Sequence, residues 1–349
     1  MAGYASGEQP DNELTIKLNT NENPYPPSPQ VSNVLSQIKP ESLRRYPPAT
    51  AQKFRQLAAE LHGLDLKNVI ATRGGDELLR LVITTFVDPG EKIGMTDPTY
   101  SLYSVLAQIQ DCPIVNAPLL ADWTLPEEFA QSMNDQKVRL TFLVNPHAPT
   151  GALMPIDQIS KLASKLNSIL LLDEAYIDFV DHHYQTAQLV KEHDNLIILR
   201  TLSKGYSLAG LRFGYGLADQ SLIAPMLHKT RDSYNLDFIS QRVAEAAIAD
   251  QDHVRANAKK VILERDRLRA ELHVLGIYCA DSQANFLLAT IPDTIKFSAA
   301  ELYQKLKDRH VLVRYFNAQR LDNKLRVSIG TGEENDQLLS TLVDILKQS

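Results

Sequence analysis

"RTLSKGYSLAGLRFGY", residues 200–215, places one lysine among small residues just past the apolar run "LIIL", with an arginine eight positions later. The run reads as a buried strand, and "SLAGL" is too apolar for a solvated basic loop. Lys204 and Arg212 are therefore expected close to the protein body, beyond the end of a strand. Similar apolar runs recur on the N-terminal side. "NVIAT", "KIGMT", "CPIVNAP", "VRLTFLVN" and "SILLLDEAY" read as strands, as does "LIILRTL". "AQKFRQLAAELHG", closed by Gly63, "DELLRLVITTFV", "SLYSVLAQIQ" and "PIDQISKLASKLN" read as helices among them. Near-continuous apolar strands separated by helices predict an α/β fold with a mostly parallel sheet covered on both faces.

The flanks read differently. The first forty residues are rich in proline, asparagine and serine ("NTNENPYPPSPQ") and predict a stiff irregular arm. After residue 238 one long charged helix, "ISQRVAEAAIADQDHVRANAKKVILERDRLRAELHVLG", leads into "GIYCADSQANFLLATI". Helix "SAAELYQKLKDRH", strands "VLVRYF" and "KLRVSIG" and a last helix follow. This predicts a second, smaller α+β domain joined through the long helix.

Bulk properties remove several classes of function. At 349 residues, 44% hydrophobic and 22% charged, the chain can build one large domain and one smaller one. A formal charge of −6 argues against a nucleic-acid surface, which needs clustered basic excess. No stretch approaches the roughly 20 apolar residues of a membrane span. "MAGYASGEQPDNE" lacks the basic start and apolar centre of a signal peptide. Cys112 and Cys279 lack metal-ligand spacing, so reduced thiols in a cytoplasm are expected.

Open α/β sheets bind ligands beyond the carboxyl ends of their strands. "TRGGDELL" follows a strand and opens a helix, so its amides suit a phosphate, or it is merely a tight turn. "NPHAPTG" (145–151) reads as a turn. Asp173 ends the apolar run "ILLL" and needs a cationic or donor partner there, unless it caps the next helix. Lys204 alone would be a solvated lysine. Together these stretches suit one cofactor, pyridoxal 5'-phosphate. Its aldehyde takes a lysine amine, its pyridine nitrogen an aspartate, and its phosphate a helix N-terminus plus an arginine. Other motifs fail: "GYGLAD" carries only two glycines of a dinucleotide fingerprint, and no phosphate loop, nucleophile elbow or zinc spacing occurs. "DHHY" (181–184) reads as a solvated loop, so no metal is expected.

On "RTLSKGYSLAGLRFGY", "DEAY", "RGGDE", "PTYSLY" and "LNTNENPYPPSP" the chain resembles the aminotransferases of fold type I. With "YASGEQP" it is similar to their histidinol-phosphate aminotransferase branch, from that stretch to the last helix. The resemblance implies a large cofactor domain over 41–240 with a mostly parallel seven-stranded sheet. It implies a smaller α+β domain over 241–349, to which the arm, 1–40, belongs. It implies that Lys204 holds the cofactor covalently, that Asp173 pairs with its ring nitrogen and that Tyr176 hydrogen-bonds its phenolic oxygen. The Gly75 and Asp76 amides, with Thr201, Ser203 and Arg212, would surround the phosphate, and Tyr100 would stack on the ring. Tyr46 would reach the phosphate of a neighbouring subunit, making a homodimer with a shared active site. Arg326 is the implied substrate-anion arginine, Arg314 a second guanidinium for a substrate phosphate, and Tyr25 a cover over the substrate. Arg314 and Tyr25 also read as ordinary surface residues.

The implied activity is ping-pong transfer of an amino group between L-histidinol phosphate and 2-oxoglutarate, giving imidazole-acetol phosphate and glutamate. Lys204 would be the general base. Transamination of aromatic amino acids and decarboxylation of threonine phosphate are alternatives on the same scaffold. A silent cofactor-binding regulator would have no need for Lys204. One departure stands out. The family reads "NNPTG" where this chain reads "HAPTG", and Ala148 replaces an asparagine that touches the phenolic oxygen. Either Tyr176 makes that contact alone, or His147 or Asn145 substitutes through a shifted turn.

Overall fold

A computed structural model of the chain describes residue 3, residues 7–10 and residues 14–347. "YASGEQP" enters that description at Gly7, its first three residues lying outside it.

The arm is not irregular throughout. Strand β1 (Ile16–Lys17) and helix α1 (Pro29–Gln37) lie within it. Ser28 caps α1, its Oγ accepting from the Gln30 amide at 3.1 Å, and Pro29 fills a first-turn position where its missing N–H costs nothing. Val31 buries the inner face of α1.

The chain then alternates as expected: α2 (Gln52–His62), β2 (Val69–Thr72), α3 (Gly74–Phe86), β3 (Lys92–Asp97), α4 (Leu102–Ile109) and β4 (Ile114–Pro118). Next come α5 (Phe129–Asp135), β5 (Val138–Val144), α6 (Ile156–Lys165), β6 (Ile169–Asp173), β7 (Leu196–Thr201) and β8 (Gly214–Ala218). Gly63 ends α2 in the left-handed conformation, φ 61°, with its amide returned to the helix. These strands form one seven-stranded sheet in the order β2-β8-β7-β6-β5-β3-β4. β8 alone runs antiparallel to its neighbours. The sheet is buried on both faces, and alternate residues feed different cores. Leu170, Leu172 and Ile198 enter one cluster; Leu171, Ile197 and Leu199 enter the other. Each such side chain contributes about 1.5–3 kcal/mol by burial, so the apolar runs hold the strand ends in place.

The remainder holds α7 (Gln220–Pro225), α8 (Phe238–Ala249), α9 (Gln251–Val274), β9 (Tyr278–Cys279), β10 (Phe286–Thr290) and α10 (Ala299–Lys307). β11 (Val311–Leu312), β12 (Arg314–Tyr315), β13 (Lys324–Ser328) and α11 (Gly332–Lys347) complete it. Two expectations are corrected here. The long charged helix is two helices, broken at Asp250, whose carboxylate caps α9 by accepting from the His253 amide. "VLVRYF" is two short strands that part at Val313. β11 pairs in parallel with β1, whereas β12 joins the four-stranded antiparallel sheet β12-β13-β10-β9. A third core, with Leu287, Leu302, Val327 and Leu338, lies behind that sheet and also takes Leu18 from the arm. Cys112 and Cys279 are both buried and unpaired. Among the described residues no helix is long and apolar enough to cross a membrane.

Candidate active site

Three parallel strands, β2, β6 and β7, end on one side of the sheet, and each delivers polar groups there. Beyond β2, helix α3 begins at Gly74 with φ +77°. A Cβ on Gly74 would lie 2.8 Å from Nη2 of Arg212, so only glycine lets that guanidinium cover the helix start. Gly214 allows the same crowding from β8, since its Cβ would lie 2.8 Å from the Gly74 carbonyl carbon. Arg212 itself has φ 57°, a left-handed conformation that a non-glycine residue adopts at a cost. From it, the guanidinium donates to Ser203 Oγ at 3.3 Å and the Ala209 carbonyl at 3.2 Å, and pairs with Asp76 at 3.1 Å. Thr201 Oγ1 donates to Ser203 Oγ at 3.1 Å. Gly75, Asp76, Thr201, Ser203 and Arg212 thus gather at one helix N-terminus. Amides, hydroxyls and a guanidinium there suit a phosphate.

Asp173, at the end of β6, is buried. Its Oδ2 accepts from the Tyr103 hydroxyl at 2.6 Å and its Oδ1 from the Ala175 amide at 3.1 Å. Burial pushes its pKa up to about 6, while the Tyr103 and Ala175 hydrogen bonds pull the other way. It does not cap the short 3-10 helix that follows it, Ile177–Phe179, whose N-cap is Tyr176. Tyr103 stacks on Phe142 with ring centroids 4.5 Å apart and meets Tyr100 edge-on at 5.5 Å, so Tyr103 stands between Tyr100 and the carboxylate it bonds.

Lys204 follows β7 in a turn that the arm crosses. Its Nζ donates to the Thr20 carbonyl at 2.9 Å, and Asn23 Nδ2 donates to the Lys204 carbonyl at 3.1 Å. Gly205 makes room for the buried Asp178 carboxylate, which accepts its amide. Burial pushes the Lys204 amine down to about 8, helped by the Arg326, Arg212 and Lys17 cations and opposed by Glu22.

Tyr176 meets Phe286 edge-on at 5.0 Å and accepts from Asn21 Nδ2 at 3.1 Å. Arg326 lies over Phe286, 5.3 Å from the ring centre, and donates to the Asn19 carbonyl at 3.0 Å. Arg314 sits opposite Arg326 in the ladder. Tyr25 packs against the third core, with the Lys260 ammonium 4.9 Å from its ring centre. One expected residue stands apart: Tyr46 is 80% exposed and stacks on Tyr234 at 4.4 Å.

Sequence reasoning missed Tyr103, Asn21 and Asn23. For Tyr103 a signal existed: it closes "PTYSLY", the stretch that already supplied Tyr100. The side chains named as substitutes at Ala148 are engaged elsewhere. His147 bonds Thr150 Oγ1 at 2.8 Å and the Pro98 carbonyl at 3.1 Å. Asn145 bonds the Tyr184 hydroxyl at 2.6 Å and the Met154 amide at 2.8 Å. In the 181–184 loop, ligand atoms of Asp181, His182 and His183 lie within 4.8 Å of one another, all three residues exposed.

The residues fit pyridoxal phosphate: a cradle that a Cβ would fill, a buried carboxylate and a lysine with a lowered pKa. Known proteins agree. A family model described as aminotransferase class I and II matches residues 14–342. Histidinol-phosphate aminotransferase 1 of a Nostoc species is 42% identical over 99% of this chain and 96% of its own. A histidinol-phosphate aminotransferase from Sinorhizobium meliloti, solved in complex with pyridoxal-5'-phosphate, superposes with a TM-score of 0.89. It is 24% identical and covers 95% of this chain and 90% of its own. L-threonine-O-3-phosphate decarboxylase from Porphyromonas gingivalis shares the fold, with a TM-score of 0.82 at 19% identity, over 95% of this chain and 99% of its own.

Proposed function

The chain belongs to the aminotransferase class I and II family, and we propose that it transfers an amino group between L-histidinol phosphate and 2-oxoglutarate, a step of histidine biosynthesis. The cofactor is pyridoxal 5'-phosphate. When bound, it supplies an aldehyde for the substrate amine and a ring that takes up electron density from the substrate's Cα. Lys204 carries this reading. Its amine, pushed down to about 8, can hold the cofactor and move a proton at that Cα near neutral pH. Asp173, fixed by Tyr103 and Ala175, would keep the ring nitrogen protonated. Gly75, Asp76, Thr201, Ser203 and Arg212 would hold the phosphate, with Tyr100 against the ring and Tyr176 at the phenolic oxygen. Arg326 would take the substrate anion, Arg314 would add a second cation for the phosphate, and Tyr25 would cover them.

The same reading makes the enzyme a cytoplasmic homodimer in which Tyr46 reaches the partner's phosphate cradle. The exposure of Tyr46 on this chain supports it. It also divides the chain into an arm (1–40), a cofactor domain (41–240) and a smaller domain (241–349).

Purified enzyme given pyridoxal phosphate, histidinol phosphate and 2-oxoglutarate should form glutamate. Faster turnover of aromatic amino acids would replace the substrate, and carbon dioxide from threonine phosphate would replace the reaction.

A further inference from the structure

Asn21 aims one amide donor at the Tyr176 hydroxyl from a fixed position. It is 1% exposed and holds φ 55°. Its backbone N–H donates to Ser328 Oγ at 2.8 Å, so the Ser328 proton is left to donate to Asn21 Oδ1, 3.0 Å away. With Oδ1 engaged, the Nδ2 end faces Tyr176 at 3.1 Å. Asn285 Nδ2 braces the Asn21 carbonyl at 3.0 Å. The 145–151 turn offers no equivalent, because Ala148 ends in a methyl group and His147 and Asn145 are engaged with the fold.

We propose that Asn21 is the positioning residue for Tyr176 and takes over, from the arm, the amide that the turn lacks at Ala148. The inference rests on the reading above that Tyr176 faces the cofactor's phenolic oxygen. A phenol has one proton to give and lone pairs to receive. Filling a lone pair with the Asn21 amide leaves the phenol proton to be donated onward, and the chained bonds strengthen each other. Ser328 stands two residues from Arg326 on β13, so the strand that carries the substrate arginine also orients this donor.

The test loads purified variants with pyridoxal phosphate and reads the pH midpoint of the visible absorbance, with cofactor affinity and thermal midpoint alongside. Lys17, Glu22, Arg212 and Arg326, which act on Lys204, and Asp173, Tyr100 and Tyr103, which are coupled with Tyr176, stay unchanged in every variant, as does Lys204. Asn21→Ala should raise the midpoint by roughly 0.5–1 unit, the worth of the one neutral hydrogen bond that steadies the Tyr176 hydroxyl. Adding Ala148→Asn to Asn21→Ala should bring it back toward wild type. Ser328→Ala, which keeps the amide but frees it to rotate, should shift the midpoint the same way by less. If Asn21→Ala does not fold, Ser328→Ala decides. An unchanged midpoint in these variants overturns the inference, as does a shift that Ala148→Asn leaves in place. Tyr176→Phe separates the two levels. A shift there without one in Asn21→Ala sinks only the role of Asn21, while none in Tyr176→Phe sinks the reading of Tyr176 beneath it.

Discussion

Arg314 of β12 and Arg326 of β13 face each other directly across one rung of an antiparallel ladder. Their guanidinium carbons lie 5.6 and 5.5 Å from the centre of the Phe316 ring. Like charges placed opposite in a ladder destabilise it, and a dianion between them offsets that cost. A phosphate monoester, with up to two charges and three acceptor oxygens, suits two guanidinium groups better than one. Arg314→Ala should lower kcat/KM for histidinol phosphate by about ten- to a hundredfold and spare glutamate. Steady-state kinetics with each donor decides: equal losses would place Arg314 in a common anion site, and no loss would return it to the surface.

Lys204 should set the pH at which cofactor enters. Only the neutral amine attacks an aldehyde, and its pKa is pushed down to about 8. Incorporation into cofactor-free protein, followed by absorbance, should speed up with pH and level off above about 8. A rate still climbing toward pH 10.5, the ordinary lysine value, would contradict the lowered pKa.

His147 should weaken the fold in acid. Burial pushes its pKa down to about 4 from 6.5, so the folded state favours the neutral ring. Its contribution is complete above pH 6.5 and is lost as pH falls toward 4. One such group costs about 2 kcal/mol between pH 6.5 and 5. Asp173 and Asp178, both pushed up to about 6 by burial, act in the opposite direction below that pH. A variant comparison removes them: His147→Gln should flatten the fall in thermal midpoint between pH 6.5 and 5, and an unaltered slope would refute the buried neutral ring.

Arg320 fastens the hairpin of β12 and β13 to the loop after β4. It donates to the Leu119 and Leu120 carbonyls at 2.6 and 2.7 Å and covers Trp123 at 4.3 Å. Trp123 is the chain's one tryptophan, so its fluorescence reports this clasp alone. Arg320→Ala should shift the emission to the red and raise KM for both donors, because the paired arginines ride on that hairpin. Unchanged emission would show that the clasp is not made in solution.

The sheet and most strand ends were legible because an apolar strand run states its own burial. Lys204, Asp173 and the Gly74–Gly75 turn each mark where such a run stops. Partners across the chain were not legible. Nothing local to Asn21 points to Tyr176, 155 residues away, or to Ser328, 307 residues away. Helix α1 could have been found from Ser28 followed by Pro29, a cap and a first-turn residue hidden by the surrounding prolines. The break at Asp250 was masked by good helix formers on both sides, although an aspartate before "QDH" is a capping signal. "VLVRYF" looked continuous because partner exchange at Val313 leaves the apolar pattern intact.

Lys204 would both hold the cofactor and move the proton, and every other proposed role depends on it. Borohydride reduction of the loaded enzyme fixes the cofactor to whichever lysine holds it, and peptide mapping by mass spectrometry locates the label. A single labelled peptide is expected, containing "TLSKGYSLAG", residues 201–210, with the mass on Lys204. A label on any other lysine would contradict it.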